Sequence, residues 1–202
     1  MIAAVPTALR IIRRSSFKAL PWKNGGGTTH EAFREPATGD AFLWRVSVAH
    51  IESSGPFSDF AGYNRKMVLL RGLGLTLQFA NGEQRVLRKI GESVEFDGAV
   101  AAHCDLLNGP CVDLNFIVSK SVRAHARVER VDKELLVRPT QPQCALIFSI
   151  TDPLLLECDA AEAVRLEAWD LAVLSQGGAR LSKIAPDEYS APSAVFFATI
   201  NH

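Results

Sequence analysis

The sequence predicts an all-β protein, and three observations carry that expectation. Its apolar residues fall in many short runs of about 4–8, a length that suits strands better than helices. Turn residues punctuate the runs. No long segment repeats with the 3.6-residue period of an amphipathic helix. Short strands at this spacing indicate a β-sandwich or β-barrel.

In chain order, the runs read as strands are "LRIIRR", "FLWRVSVA", "MVLLRG", "LTLQF", "QRVLRKI", "SVEF" and "CVDLNFIV", then "ALIFSI", "LLLEC", "AVRLEA", "LAVL" and "SAVFFATI". Asn81-Gly82 predicts a hairpin with a type I′ turn, because both residues tolerate positive φ. Asp97-Gly98, Asn108-Gly109-Pro110 and Gly177-Gly178 mark further reversals. "DAAEAV", residues 159–164, is read as one helical turn. The acidic stretch Glu157–Asp170 is read as a solvated rim. Strand density dips between Val122 and Gln143, where the chain is charged and ends in Pro139 and Pro142. The expectation is therefore two β units of unequal size, residues 1–140 forming the larger and 141–202 the smaller. "SAVFFATI" is left free to join either.

Composition bounds the function. The chain has 202 residues, 48% of them hydrophobic, and at this size about 70% of the extended-chain surface is buried. Basic and acidic residues balance at 22 each, which argues against nucleic acid as a partner. No run approaches the ~18 apolar residues of a membrane helix. Pro6, Arg10, Arg13 and Arg14 interrupt any apolar leader, so the reading is a cytoplasmic protein with no membrane partner. Cys104, Cys111, Cys144 and Cys158 form no C-x-x-C and are read as buried free thiols.

Three blocks stand out. The first is "PWKNGGGTTHE", residues 21–31. It is not a phosphate loop, since Lys23 precedes the glycines and β-prone "TTHEAF" follows them instead of a helix. Either the glycines form a bulge with a capping Trp22 and a solvated Lys23, or they open a pocket that Trp22 and Lys23 flank. The second block, "WRVSVAHIESSGPFSDFAGYNR", sets Arg45 and Ser47 on the strand face opposite Trp44, Val46 and Val48, and ends in Arg65. The third, "LLNGPCVDLNF", sets Asp113 and Asn115 opposite Val112, Leu114 and Phe116. If the polar faces share a barrel lumen, they converge, and Asp113 is the expected partner of a buried Arg45.

Together these blocks resemble the HutD/Ves family over most of residues 17–118, in order and at family-like spacing. The resemblance implies a bicupin, two fused β-barrels, with a pocket in the first. It also implies a small-molecule-binding accessory or regulatory role linked to bacterial histidine utilisation. Carried over, the ligand-binding candidates are Trp22, Lys23, Asn24, Gly26, Thr28, Glu31, Arg45, Ser47, Arg65, Asp113 and Asn115. Where the family pattern leads one to expect arginine before the glutamate, this chain has His30.

The expected ligand is a small carboxylate, because an arginine fork donates to one bidentately; urocanate or a downstream product such as formiminoglutamate is the natural candidate if the histidine link holds. No two of the five histidines lie two residues apart, so the cupin H-x-H ligand pair is absent and neither metal nor other cofactor is expected. No Ser-His-Asp or Cys-His arrangement is visible, and catalytic residues are left unassigned. A metal-free enzyme acting on a small polar metabolite and a structural or partner-docking bicupin remain the alternatives. The oligomeric state, homodimer included, is open.

Overall fold

A computed structural model describes residues 9–137, 143–158, 161–175, 178–184 and 191–201. In chain order the strands are β1 (Leu9–Ile12), β2 (Lys18–Pro21), β3 (Gly27–Glu35), β4 (Trp44–Ile51), β5 (Gly55–Pro56), β6 (Tyr63–Arg71), β7 (Leu75–Phe79), β8 (Gln84–Leu87), β9 (Ser93–Asp97) and β10 (Ala102–Leu106). They continue with β11 (Cys111–Ser119), β12 (Arg123–Val131), β13 (Glu134–Val137), β14 (Gln143–Ser149), β15 (Leu154–Cys158), β16 (Ala161–Leu166), β17 (Leu171–Leu174), β18 (Ala179–Lys183) and β19 (Ser193–Asn201). Among the described residues the only helical element is the 3-10 turn Arg14–Ser16.

The chain divides into a central unit, Ser16–Val122, and a terminal unit made of Met1–Ser15 with Arg123–His202. This is not a division at residue 140. Strand pairing explains the difference. The charged stretch expected to be a boundary is β12, which runs its whole length antiparallel to β19. β12 lies at the edge of its sheet and alternates exposed with covered residues, so it accommodates charge on its open face. β19 pairs β12 and β14 and stays in the terminal unit, while β1 pairs β17.

The central unit has two antiparallel sheets, ordered β2-β3-β4-β11-β6-β9 and β5-β10-β7-β8. Its core includes Ile51, Met67, Leu69, Leu75, Leu77 and Cys104. The terminal unit repeats the plan with sheets β1-β17-β14-β19-β12 and β13-β18-β15-β16. Its core is mainly aliphatic, with Ile147, Leu154, Leu156, Leu166, Leu174 and Leu181 fully buried. Burying one such side chain is worth about 1.5–3 kcal/mol.

Three local expectations change and a fourth stands. Residues 161–164 are strand β16 rather than a helical turn, pairing with β15; 159–160 lie outside the described residues, as do Pro139, Pro142 and Gly177. Asp170 is no solvated rim residue. It is buried, pairs Arg13 at 2.7 Å and accepts the Arg14 and Glu167 backbone N–H groups. The Asn81-Gly82 hairpin joins β7 to β8 as expected, but only Gly82 has positive φ. Gly82 N–H donates to Phe79 O and Phe79 N–H to Glu83 O, so the turn is type I closed by a glycine bulge. All four cysteines are free and buried, as read.

Candidate functional site

A cavity of about 550 Å³ opens in the central unit, within the range of small-molecule sites. Strand register builds it. On β11, Asp113, Asn115 and Ile117 share one face, and each is flanked by a residue of β4 and one of β6. The rows are Ala49–Asp113–Leu69, Ser47–Asn115–Met67 and Arg45–Ile117–Arg65. The same inward parity continues through Ile51 and Cys111 into the apolar core. The interior of this unit is thus apolar at one end and polar at the other, and Asp113 stands at the border.

The rows also decide which charges meet. Asp113 lies four residues along β11 from the arginine row, about 13 Å at strand rise. Asn115 bridges half that distance. Arg65 Nη2 donates to Asn115 Oδ1 at 2.7 Å, and Asn115 Nδ2 donates to Asp113 Oδ1. Arg45 makes no ion pair with Asp113, so the expected Arg45–Asp113 contact is replaced by an Arg65–Asn115–Asp113 chain. Arg65 Nη1 also donates to Ser58 O at 3.1 Å.

Aromatic rings hold both guanidinium groups. Arg65 lies 4.9–5.4 Å from the ring centres of Phe57, Phe60 and Phe96. Arg45 lies 5.3 Å from Phe42 and 5.1 Å from Phe60, so Phe60 serves both. Cations on aromatic faces gain about 0.5–2 kcal/mol, most when desolvated. The sequence blocks contain Phe57 and Phe60, but their role follows from a loop fold that spacing does not reveal.

Burial then tunes the charges. It pushes the Asp113 carboxyl up to about 7, against the opposing pull of Arg65 and of the Asn115 hydrogen bond. It lowers Arg65 to about 10, with Asp113 opposing and Arg45 adding. Arg45 is lowered chiefly by burial, and Glu31 opposes this. Asp113 Oδ2, Arg65 Nε and Arg45 Nε are buried without a hydrogen-bond partner. Such atoms are uncommon in native proteins, and here three cluster on one cavity.

The glycine block closes the cavity's rim. Gly25 N–H bonds Trp22 O at 3.0 Å, and Trp22 N–H bonds Gly27 O at 2.9 Å. Gly25 has φ +71°, and a Cβ on Gly27 would lie 2.2 Å from His50 O. One glycine is needed for backbone hand and another for close approach. Trp22 is fixed by its indole N–H to Thr29 Oγ1 at 2.8 Å.

Of the sequence candidates, Trp22, Lys23, Asn24, Arg45, Ser47, Arg65, Asp113 and Asn115 line the cavity. Gly26, Thr28 and Glu31 do not. Gly26 O instead accepts the Glu52 and Ser53 N–H groups. Thr28 stands opposite His50 on the other strand parity, and it is Thr29 that faces in. Glu31 stands opposite Ser47, and its charge reaches Arg45. His30 shares the outer parity, its ring 4.9 Å from that of His50. Among the described residues no group of three His, Cys, Asp or Glu is placed to hold a metal.

Two-sheet antiparallel units with a polar interior cavity place the chain among cupin-fold proteins. The fold matches the Escherichia coli protein Ylba with a TM-score of 0.70 at 6% identity, over 95% of this chain and 90% of that one. It matches a variant of Bacillus subtilis oxalate decarboxylase OxdC with a TM-score of 0.64 at 7% identity, over 94% and 76%. Residues 14–189 match the family model described as HutD, and the chain belongs to the HutD family. HutD from Pseudomonas fluorescens SBW25 superposes with a TM-score of 0.77 at 30% identity, covering 95% of this chain and 98% of that one. A conserved protein of unknown function from Pseudomonas aeruginosa PAO1 gives 0.85 at 32%, covering 96% and 100%. An uncharacterized 21.2 kDa protein in the hutC 3' region of Pseudomonas putida is 34% identical over 163 residues, 80% of this chain and 84% of that protein.

Proposed function

We propose that this protein is a bicupin whose central unit binds a small carboxylate, with urocanate as the first candidate, in an accessory or regulatory role in histidine utilisation. The observation that carries the reading is the pair of guanidinium groups, Arg45 and Arg65, facing one cavity with unpartnered buried Nε–H groups. A carboxylate satisfies two such donors at once. Lys23, exposed at the rim, adds a third cation, and the aromatic rings that hold the arginines offer an apolar wall for an unsaturated ligand. The relatives named HutD and the protein of the hutC 3' region support the histidine link. We place the protein in the cytoplasm and leave a homodimer as a compatible assembly.

Calorimetry with urocanate tests this. Charge-assisted hydrogen bonds contribute about 1.5–3 kcal/mol, so Arg45→Met should weaken binding by about one to two decades. Lys23→Met, at a solvated rim, should weaken it by less than one decade. Equal affinity of both variants and the parent would remove the cations from the site and, with them, the carboxylate assignment.

A further inference from the structure

The carboxylate site contains a built-in acid that the binding reading leaves unused. We infer that the pocket takes up a proton together with its anion, and that Asp113 is the residue that holds it. The inference rests on the carboxylate-binding reading and deepens it.

Asp113 is fully buried at the floor of the cavity. One of its oxygens is bonded by Asn115 and the other has no partner. Among the described residues its hydrogen-bonded link to a cation runs through Asn115 to Arg65, the same arginine whose Nε–H has no partner and whose side chain lines the cavity. An incoming carboxylate therefore competes with Asp113 for one positive charge. Two anions sharing a desolvated site push one of the pair to protonate. The ligand's carboxylate keeps two guanidinium groups nearby, whereas Asp113 lies two rows deeper. Asp113 is the one that takes the proton.

The charged and titratable groups in and around the cavity are few. β6 supplies Arg65 and β4 supplies Arg45, both cationic throughout the relevant range. β3 supplies Glu31, which acts on Arg45. The loop before β3 supplies Lys23. On β10, burial and then Asp113 itself push the Cys104 thiol up to about 12, so it stays neutral; Cys111 adds to that shift from β11. The free carboxyl of Asp113 already lies near neutrality, so a further rise of about two pH units on anion binding keeps it protonated at pH 8.

The balance is simple. Solvent gives one proton to Asp113 Oδ2, the ligand binds as its anion, and the pocket's net charge is unchanged. Affinity should then fall about tenfold per pH unit above the free carboxyl's midpoint. Below that midpoint it should be flat.

The test uses formate, whose own titration lies well below the range, with the full-length protein. Binding is measured at about pH 5.5 and about pH 8 in two buffers of different ionisation enthalpy, which reports protons exchanged per ligand. Parent protein should take up close to one proton per formate at the higher pH and almost none at the lower. Asp113→Asn, which keeps the oxygen that Asn115 bonds, should bind formate with no uptake and no pH dependence. Formate binding to the parent with zero uptake at both pH values overturns the inference and leaves the binding reading standing. Uptake that persists in Asp113→Asn also overturns it. Absence of formate binding at either pH overturns both.

Discussion

The two units share a plan and differ in what they enclose. In the terminal unit, inward positions of the central strands are apolar, as with Ala145 and Ile147 on β14 and Val195 and Phe197 on β19. Its buried acid, Asp170, sits in a loop and is met by Arg13 and by backbone N–H groups. In the central unit the buried acid sits in mid-strand at the sheet's centre, and half of its hydrogen-bonding capacity is idle. The contrast teaches how a cavity is recognised. In the central unit the unpartnered polar atoms gather on one cavity, Asp113 Oδ2 with the Arg45 and Arg65 Nε–H groups, at a cost to that unit's stability.

The sharpest way to break the contrast is Arg65→Met. Asp113 then loses the cation that compensates it, and removing one partner of a buried pair costs about 3–5 kcal/mol. The loss should be larger at alkaline pH, where Asp113 must ionise, than at mildly acidic pH; chemical denaturation at both reads the difference. An equal loss at both would mean that Arg65 acts through packing alone.

Leu156→Ala in the terminal unit, fully buried in an aliphatic core, should cost about 2–5 kcal/mol and leave ligand affinity unchanged. A change in affinity measured by calorimetry would blur the division of labour between the units.

Asp113→Asn should alter the pH dependence of stability in a definite direction. The native carboxyl lies above its ordinary value, so the folded state holds the proton more tightly than the unfolded chain does. The associated stability is complete below the unfolded value and lost as pH rises through about 7, at up to about 1.4 kcal/mol per unit. The exposed Glu92 and Asp97 are pulled the other way by backbone N–H groups and by Lys120, and their effect is lost as pH falls. Between about pH 5 and pH 7.5 the Asp113 contribution stands apart. Parent stability should decline across that window and the Asn variant should be flatter; parallel curves would contradict the assignment.

The smallest effect is expected of Thr29→Val. It removes the acceptor of the Trp22 indole N–H, a neutral bond worth about 1 kcal/mol. Trp22 fluorescence and ligand affinity should change modestly. An unchanged spectrum would show that the tryptophan is held by its rings alone, against Phe57.

Much of this was legible from strand parity. Arg45, Ser47, Asp113 and Asn115 read as one polar face, and they line one cavity. What parity lacks is position along the strand. It grouped Arg45 with Asp113 because both point inward, but register sets them two rows apart and inserts β6, with Arg65, on the far side of β11. The same limit shows in Thr28, where a one-residue shift exchanges the two faces of β3 and Thr29 takes the inward place. The charged β12 was read as a boundary because an edge strand with one open face carries little of the apolar signal that marks a central one. The bulge at Ala32, where β3 slips against β4, left no mark in composition.

β1 has a consequence for how the protein is made. The central unit is one unbroken stretch of chain and can complete its own pairings as it leaves the ribosome, since domains generally fold as units during synthesis. The terminal unit cannot. Arg13 meets Asp170 across 157 positions, and Leu9 pairs Leu174, so β1 waits without its partner strand until β17, far along the chain, has been translated. The half that holds the polar cavity is completed early, and the half with the mainly aliphatic core is the one whose assembly depends on strands far apart in the chain.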